Sequence, residues 1–332
     1  MAQTSPGGRA AQDENRGVVM NKSAAVRVLV TGGCGFIGSW VVRELLARGA
    51  AVTVFDVAPN PTRWSRLIGP AAEGVPVFTG ELTDQGALER AFAAAQPTHV
   101  IHLAALLTPD CQSDPIRGCQ VNVLGTTIVF ELARRHGVQA VSWASSMAVF
   151  GPEPGEAANA GVREPNRPPS FYGAFKKGAE LVAEQYWLHH RLRSVGLRPH
   201  VVYGPEREQG ISAGPSLAAR AAAHGAEYTI GFRGVLGYDY VEDVACGFVR
   251  GAFECPEGAH VVDLPSELAS VEQILESLEQ IVPSSRGRLK VQGRALPSND
   301  SPHDQMISGL FPDWRPTPLA EGLRRTVEFY RT

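Results

Sequence analysis

The chain has 332 residues, 44% hydrophobic and 20% charged, with a formal net charge of −3. That length allows a sizeable core in one large domain with a smaller lobe, and the near-neutral charge without a long basic run excludes nucleic acid and an anionic membrane surface, leaving a small molecule as the expected partner. Five cysteines, Cys34, Cys111, Cys119, Cys246 and Cys255, are odd in number and lack CxxC or Cys/His spacing, so they read as reduced thiols of a cytoplasmic protein, and no metal site is expected.

Residues 1–24 are polar, glycine-containing and mixed in charge, without the apolar stretch of a signal peptide, and read as a disordered tail. No later run has the length of a membrane span. From Val26 onward, short apolar runs alternate with amphipathic stretches of helix length, the signature of an α/β doubly wound parallel sheet wrapped by helices. Strands are predicted at Val26–Val30, Ala51–Phe55, Val75–Phe78, His99–Leu103, Ala140–Trp143 and Leu197–Val202. Helices are predicted near Ile37–Arg48, Gln85–Ala95, Pro115–His136 and Tyr172–His190, with Asp84 placed to cap the second. This body takes in residues 25–203. Beyond it glycine and proline interrupt the rhythm, and residues 204–332 read mainly as a smaller C-terminal α/β substrate lobe, with return strands to the large sheet left open. Helices are expected there at Pro215–His224, Val244–Phe253, Val271–Ile281 and from Pro318, whereas Pro283–Asp313 carries no assignable pattern.

Chemistry enters first in Val28-Leu-Val-Thr-Gly-Gly-Cys-Gly-Phe-Ile-Gly, where Gly32, Gly35 and Gly38 form a GxxGxxG between a strand and a helix. In that setting the first glycine allows a tight turn, the second lets backbone N–H groups approach a pyrophosphate, and the third lets helix pack on strand, with phosphate at the helix N-terminus. The alternative is a glycine-rich turn of any α/β protein. The next strand ends in Asp56, where a carboxylate binds adenosine ribose hydroxyls and repels a 2′-phosphate, favouring NAD over NADP, with Arg63 close enough to temper the preference.

Tyr172 and Lys176 lie four apart on the first turn of a helix, and the chain has only four lysines. That spacing puts an ammonium beside a phenol, which a tyrosine base needs because its free pKa is about 10. A surface tyrosine beside a surface lysine is the plainer alternative.

These segments together resemble the extended short-chain dehydrogenase/reductase family, which includes nucleotide-sugar epimerases, sugar dehydratases and related dehydrogenases. The resemblance runs through most of residues 26–332. It is carried in order by Thr31-Gly-Gly-Cys-Gly-Phe-Ile-Gly, Gly80-Glu-Leu-Thr-Asp, His102-Leu-Ala-Ala, Asn122-Val-Leu-Gly-Thr, Ala144-Ser-Ser-Met-Ala-Val-Phe-Gly, Tyr172-Gly-Ala-Phe-Lys, Val202-Tyr-Gly-Pro and Tyr240-Val-Glu-Asp-Val-Ala. It implies a Rossmann fold, bound NAD and a homodimer formed through the helices at Pro115–His136 and Tyr172–His190. Tyr172 is then the acid/base on the substrate oxygen, Lys176 holds the nicotinamide ribose and tunes Tyr172, and Ser146 hydrogen-bonds the same oxygen. Ser145 is the neighbour with which Ser146 is confused, and the family spacing back from Gly151 selects Ser146. Asn122 orients its helix or a relay water, or simply bonds backbone. Further cofactor contacts are implied at Phe36, Ile37, Glu81, Leu82, Leu103, Ala104 and Ala105.

Two departures bear on the substrate. Nucleotide-sugar members usually have an arginine and an aspartate where this chain has Leu236 and Gly237, so a diphosphate contact is missing, with Arg207 and Arg233 as nearby substitutes; His200 reads first as a buried, hydrogen-bonded histidine and second as a substrate-facing one. Met147 and Ala148 stand where dehydratases place Asp-Glu, which argues against elimination chemistry. The resulting expectation is an NAD-dependent oxidoreductase transferring hydride at a secondary alcohol or ketone of a sugar, sugar acid or related polyol. The alternatives are a nucleotide-sugar (UDP-sugar) epimerase with tightly held NAD and a nucleotide sensor without chemistry.

Overall fold

The computed structural model describes residues 26–151, 168–296 and 305–331, so the expected tail at 1–24 lies outside the described residues. Twelve strands are found among them: β1 Arg27–Thr31, β2 Ala51–Asp56, β3 Val77–Thr79, β4 His99–His102, β5 Ala140–Ala144, β6 Arg193–Arg198, β7 Val201–Tyr203, β8 Tyr228–Ile230, β9 Val235–Tyr240, β10 Ala259–Asp263, β11 Glu267–Ser270 and β12 Leu289–Val291. Seven form one sheet in the order β10-β6-β5-β4-β1-β2-β3, with every neighbouring pair parallel. Val28, Leu29 and Val30 of β1, and Val100 and Ile101 of β4, are fully buried, as expected of central strands covered by helices on both faces. The order reverses between β1 and β4, and at such a point the loops leaving two neighbouring strands diverge and open a crevice at their C-terminal ends.

A smaller α/β lobe carries the rest: β11-β9-β7 form one sheet and β12-β8 another. The predicted strand Leu197–Val202 is in fact two. Pro199 offers no N–H to a ladder, and the chain leaves the large sheet at Arg198 and enters the lobe at Val201. The traffic also runs back, because β10 returns to pair with β6, and the helix Val241–Phe253 packs against β4, β5, β6 and the helix Phe36–Ala47.

Asp84 caps the helix Gln85–Ala95 by accepting from the Ala87 N–H at 2.9 Å. The expected helix Pro115–His136 is helical throughout but not uniform: Pro115–Cys119 leads into a π-helical turn, Gln120–Gly125, before Thr126–Arg135. Short elements that sequence periodicity cannot register, including the helix Thr108–Ser113 and strands β8, β9, β11 and β12, complete the fold.

Candidate active site

At the crevice the glycines are required by space. Gly32 has φ +74°, and a Cβ there would lie 2.6 Å from the Ala104 nitrogen; one on Gly38 would collide with the Gly32 carbonyl oxygen and come within 2.7 Å of the Gly33 Cα. Gly35 is exposed at the mouth and caps the helix Phe36–Ala47, whose first residues Phe36 and Ile37 are half-buried. This bare backbone at a helix N-terminus fits a dinucleotide pyrophosphate. Leu103, Ala104 and Ala105 form the facing wall, tied to β1 by the Leu103 N–H donating to the Thr31 carbonyl at 3.0 Å.

Asp56 ends β2, its carboxylate accepting from the Cys34 N–H at 2.9 Å and the Ala58 N–H at 3.0 Å. Arg63, expected to temper the cofactor preference, stays at the glycine cradle: it donates to the Cys34 carbonyl at 2.9 Å and pairs with Glu208 at 3.4 Å. Burial, with the Asp56 charge adding to it, pushes the Cys34 thiol up to about 11, so this cysteine is inert. Glu81 is exposed and bonded to Arg117, while Leu82 is buried against Gly125.

Beneath the crevice His102 bridges β1 to the helix. Thr126 donates its hydroxyl to the Asn122 carbonyl at 2.7 Å, so it accepts from His102 Nε2 at 3.0 Å, and Thr31 donates to Nδ1 at 2.6 Å. The network therefore assigns a neutral Nε2–H tautomer, in line with burial and the Lys176 charge holding this imidazole down at about 3. Asn122, on the π-helical turn, clamps Leu106 at two points, accepting from its N–H at 2.8 Å and donating to its carbonyl at 2.9 Å. It thereby fixes the loop that carries Leu103–Ala105.

Tyr172 and Lys176 rise from the helix Phe171–His190, capped by Ser170 accepting from the Gly173 N–H at 3.1 Å. Gly173 packs so tightly on the Ala148 carbonyl that helix and Ser146 segment act as one unit. The Ser146 hydroxyl is hydrogen-bonded to the phenol; burial pushes Tyr172 up to about 12, and the bond from Ser146 works against it. Lys176 Nζ donates to the Ala144 carbonyl at 2.7 Å and lies 5.8 Å from the Tyr172 ring centroid, and burial lowers it to about 8. Ser145 is separated from its neighbour's role: its hydroxyl donates to Glu180 at 2.7 Å, and Glu180 binds Arg198 at 2.6 Å, which reaches Asp263 of β10 at 3.3 Å. Sequence did not register this buried network, because its members are spread over four elements.

Of the substrate candidates, Arg207 comes to the crevice, its guanidinium over the Phe36 ring at 5.7 Å. Arg233 does not: it pairs with Glu272 at 2.7 Å and donates to the Val291 carbonyl at 3.0 Å. His200 stands beside Pro199, whose carbonyl accepts from the Met147 N–H at 3.3 Å. Its backbone N–H donates to Asp239 at 2.7 Å and its Nδ1 meets Ser266 at 2.7 Å. A Cβ on Gly237 would lie 2.9 Å from the His200 ring, so the imidazole fills the space a larger residue would take.

A parallel sheet with a glycine cradle at its switch point and a Ser/Tyr/Lys group beside it defines an NAD-dependent short-chain dehydrogenase/reductase. Residues 28–260 match the NAD dependent epimerase/dehydratase family, and the chain belongs to it. It is 30% identical to a UDP-glucose 4-epimerase of Neisseria meningitidis serogroup B over 76% of this chain and 81% of that one. It is 29% identical to UDP-glucose 4-epimerase 4 of Oryza sativa subsp. japonica over 76% of each chain. The crystal structure of a Thermus thermophilus UDP-glucose 4-epimerase complex with NAD matches with a TM-score of 0.74 and 30% identity, over 92% of this chain and 99% of that one. These relatives favour the epimerase alternative over the dehydrogenase expectation. No helix among the described residues is long and apolar enough to cross a membrane.

Proposed function

We propose that the protein uses NAD to oxidise and re-reduce a secondary carbinol of a nucleotide sugar, as an epimerase. The observation that carries this is Ser146 and Tyr172 hydrogen-bonded together, with Lys176 fastened at the end of β5 beside the glycine cradle. Tyr172 takes the proton from the substrate hydroxyl and Ser146 steadies the developing oxygen charge. Lys176 gives one N–H to the Ala144 carbonyl, and an ammonium has three, which leaves donors for a ribose. When bound, NAD supplies the hydride acceptor. The aligned UDP-glucose 4-epimerases support the epimerase form.

A second reading, net oxidation of a sugar or sugar acid, is favoured by Leu236 and Gly237, which give no guanidinium to a diphosphate. Incubating the protein with NAD and a panel of nucleotide sugars, free sugars and sugar acids separates the two. The epimerase reading expects a product inverted at one carbon with no accumulating NADH absorbance. Stoichiometric NADH would replace it with the second reading, and absence of both would end both.

Asp56 is proposed to hold the adenosine ribose. Asp56→Ala is expected to weaken NAD by about tenfold, the scale of one charge-assisted hydrogen bond, while improving NADP; fluorescence titration with both cofactors checks this, and unchanged affinities would reject the assignment. A homodimer is proposed through the helical segment 115–135 and the helix Phe171–His190, which leave Ile116 74%, Leu124 49%, Leu181 53% and Leu188 52% exposed. Sedimentation at micromolar concentration is expected to give a dimer, and a monomer would refute it.

A further inference from the structure

Ser146 lies between two backbone hydrogen bonds to the end of β6 and the residue after it. The Ser145 N–H donates to the Leu197 carbonyl at 2.8 Å and the Met147 N–H to the Pro199 carbonyl at 3.3 Å. Those bonds place Ser146 on the sheet, whereas Tyr172 belongs to the helix Phe171–His190 that lies against it. A row of contacts on one helix face joins the two: Gly173 against the Ala148 carbonyl, Lys176 Nζ on the Ala144 carbonyl at 2.7 Å and Glu180 accepting from the Ser145 hydroxyl at 2.7 Å.

Arg198 stands behind the last of these. Its Nε donates to Glu180 Oε1 at 2.6 Å and its Nη2 to Oε2 at 2.8 Å, while Nη1 reaches Asp263 Oδ1 at 3.3 Å. The same guanidinium lies over the Phe150 ring at 4.8 Å. One side chain therefore holds the Ser146 segment near both ends, Ser145 through Glu180 and Phe150 directly. Glu180 and Arg198 are each 6% exposed. Burying such a pair is costly, and apolar side chains of like volume would hold the same elements together about as well. What apolar packing does not supply is direction, which a planar fork on a carboxylate imposes.

We propose that Arg198 is a positioning residue for Ser146: through Glu180 and Phe150 it sets the Ser146 hydroxyl against the Tyr172 phenol. The inference rests on the reading of the Tyr172 site and adds to it a residue outside the reacting groups. Arg198→Lys keeps a charge and loses the fork, so Ser146 stays on the sheet but is no longer aligned with the helix.

The test is a double-mutant cycle on turnover with saturating NAD, using UDP-glucose as the probe or, failing it, the sugar of the panel above that turns over. Ser146→Ala is expected to lower kcat on the order of 100-fold, and Arg198→Lys by roughly 10- to 100-fold with KM and NAD affinity changed by less than about threefold. In the Ser146→Ala background, Arg198→Lys should cost less than about threefold more, because the group it positions is already gone. A kcat for Arg198→Lys within about twofold of the parent would overturn the proposal. So would a loss that recurs undiminished in Ser146→Ala, or one shared by KM and NAD affinity, since either makes Arg198 a general support of the fold. If Arg198→Lys does not fold, as judged by circular dichroism and NAD binding, Ser145→Ala decides, because it cuts only the hydroxyl link to Glu180. A kcat loss of about fivefold that disappears in the Ser146→Ala background supports the proposal, and an unchanged kcat overturns it. The site reading fails by different results, no turnover of any panel sugar or an unimpaired Ser146→Ala enzyme, and either takes this proposal with it. A slow Ser146→Ala enzyme beside an unimpaired Arg198→Lys one ends the proposal alone.

Discussion

Tyr172→Phe is expected to lower turnover on the order of a thousandfold while NAD affinity changes by less than about threefold, because the substitution deletes one hydroxyl and leaves the cradle intact. The size of the loss follows from the absence of a second base among the groups seen to touch the phenol: Ser146 is a hydroxyl, and Lys176 is bonded to Ala144. Burial leaves the phenol harder to ionise than in water, and the Ser146 hydrogen bond and the Arg207 charge act against that enclosure. Single-turnover absorbance with NAD, beside equilibrium titration of NAD, separates chemistry from binding. Turnover within tenfold of the parent would remove Tyr172 from the mechanism.

Glu180→Ala is expected to cost about 3 kcal/mol of stability, since it leaves the buried Arg198 guanidinium with Asp263 alone and frees the Ser145 hydroxyl. Denaturant unfolding of the variant beside the parent measures this, and a difference under about 1 kcal/mol would mean that the network is not a support of the fold. The pH dependence has a definite sign. Burial alone would raise the Glu180 carboxyl, but the Arg198 guanidinium and the Ser145 and Lys177 contacts outweigh it and hold the group below its ordinary value. A carboxyl whose folded pKa is depressed stabilises above its unfolded value, about 4.3, and loses that contribution as pH falls through the folded pKa. The stability gap between parent and variant should therefore narrow below about pH 4.

What was legible in the sequence was local or repeated. The glycine spacing, the i,i+4 relation of Tyr172 to Lys176 and the apolar runs of the central strands all declare themselves within a dozen residues, and the first five strands were found within two residues of their ends. The sixth was not, because Leu197–Val202 has the length of one strand while the backbone changes sheets around Pro199. Long-range chemistry was hidden for the same reason. The family spacing selected Ser146, but the role of Ser145 beside it stayed hidden until Glu180, one helix away, took its hydroxyl. Asn122 could be read as a relay or as a backbone clamp, and only the approach of Leu106 reveals the clamp. Arg207 and Arg233 looked equivalent as substitutes for an arginine at position 236; Glu272 occupies the second, while the acids beside the first are taken up by other arginines.

The return of β10 to the large sheet sets a timetable for biosynthesis. By the time Lys176 has left the ribosome, the glycine cradle, Ser146 and Tyr172 have all been made, so the groups assigned to chemistry are complete. The sheet is not: until Ala259–Asp263 emerges, β6 has a bare edge and Arg198 lacks its second carboxylate. A nascent chain therefore carries an unfinished edge through translation of the whole intervening lobe, and an arrest between Tyr203 and Asp263 would release a chain that has Ser146, Tyr172 and Lys176 but is open to pairing with other strands.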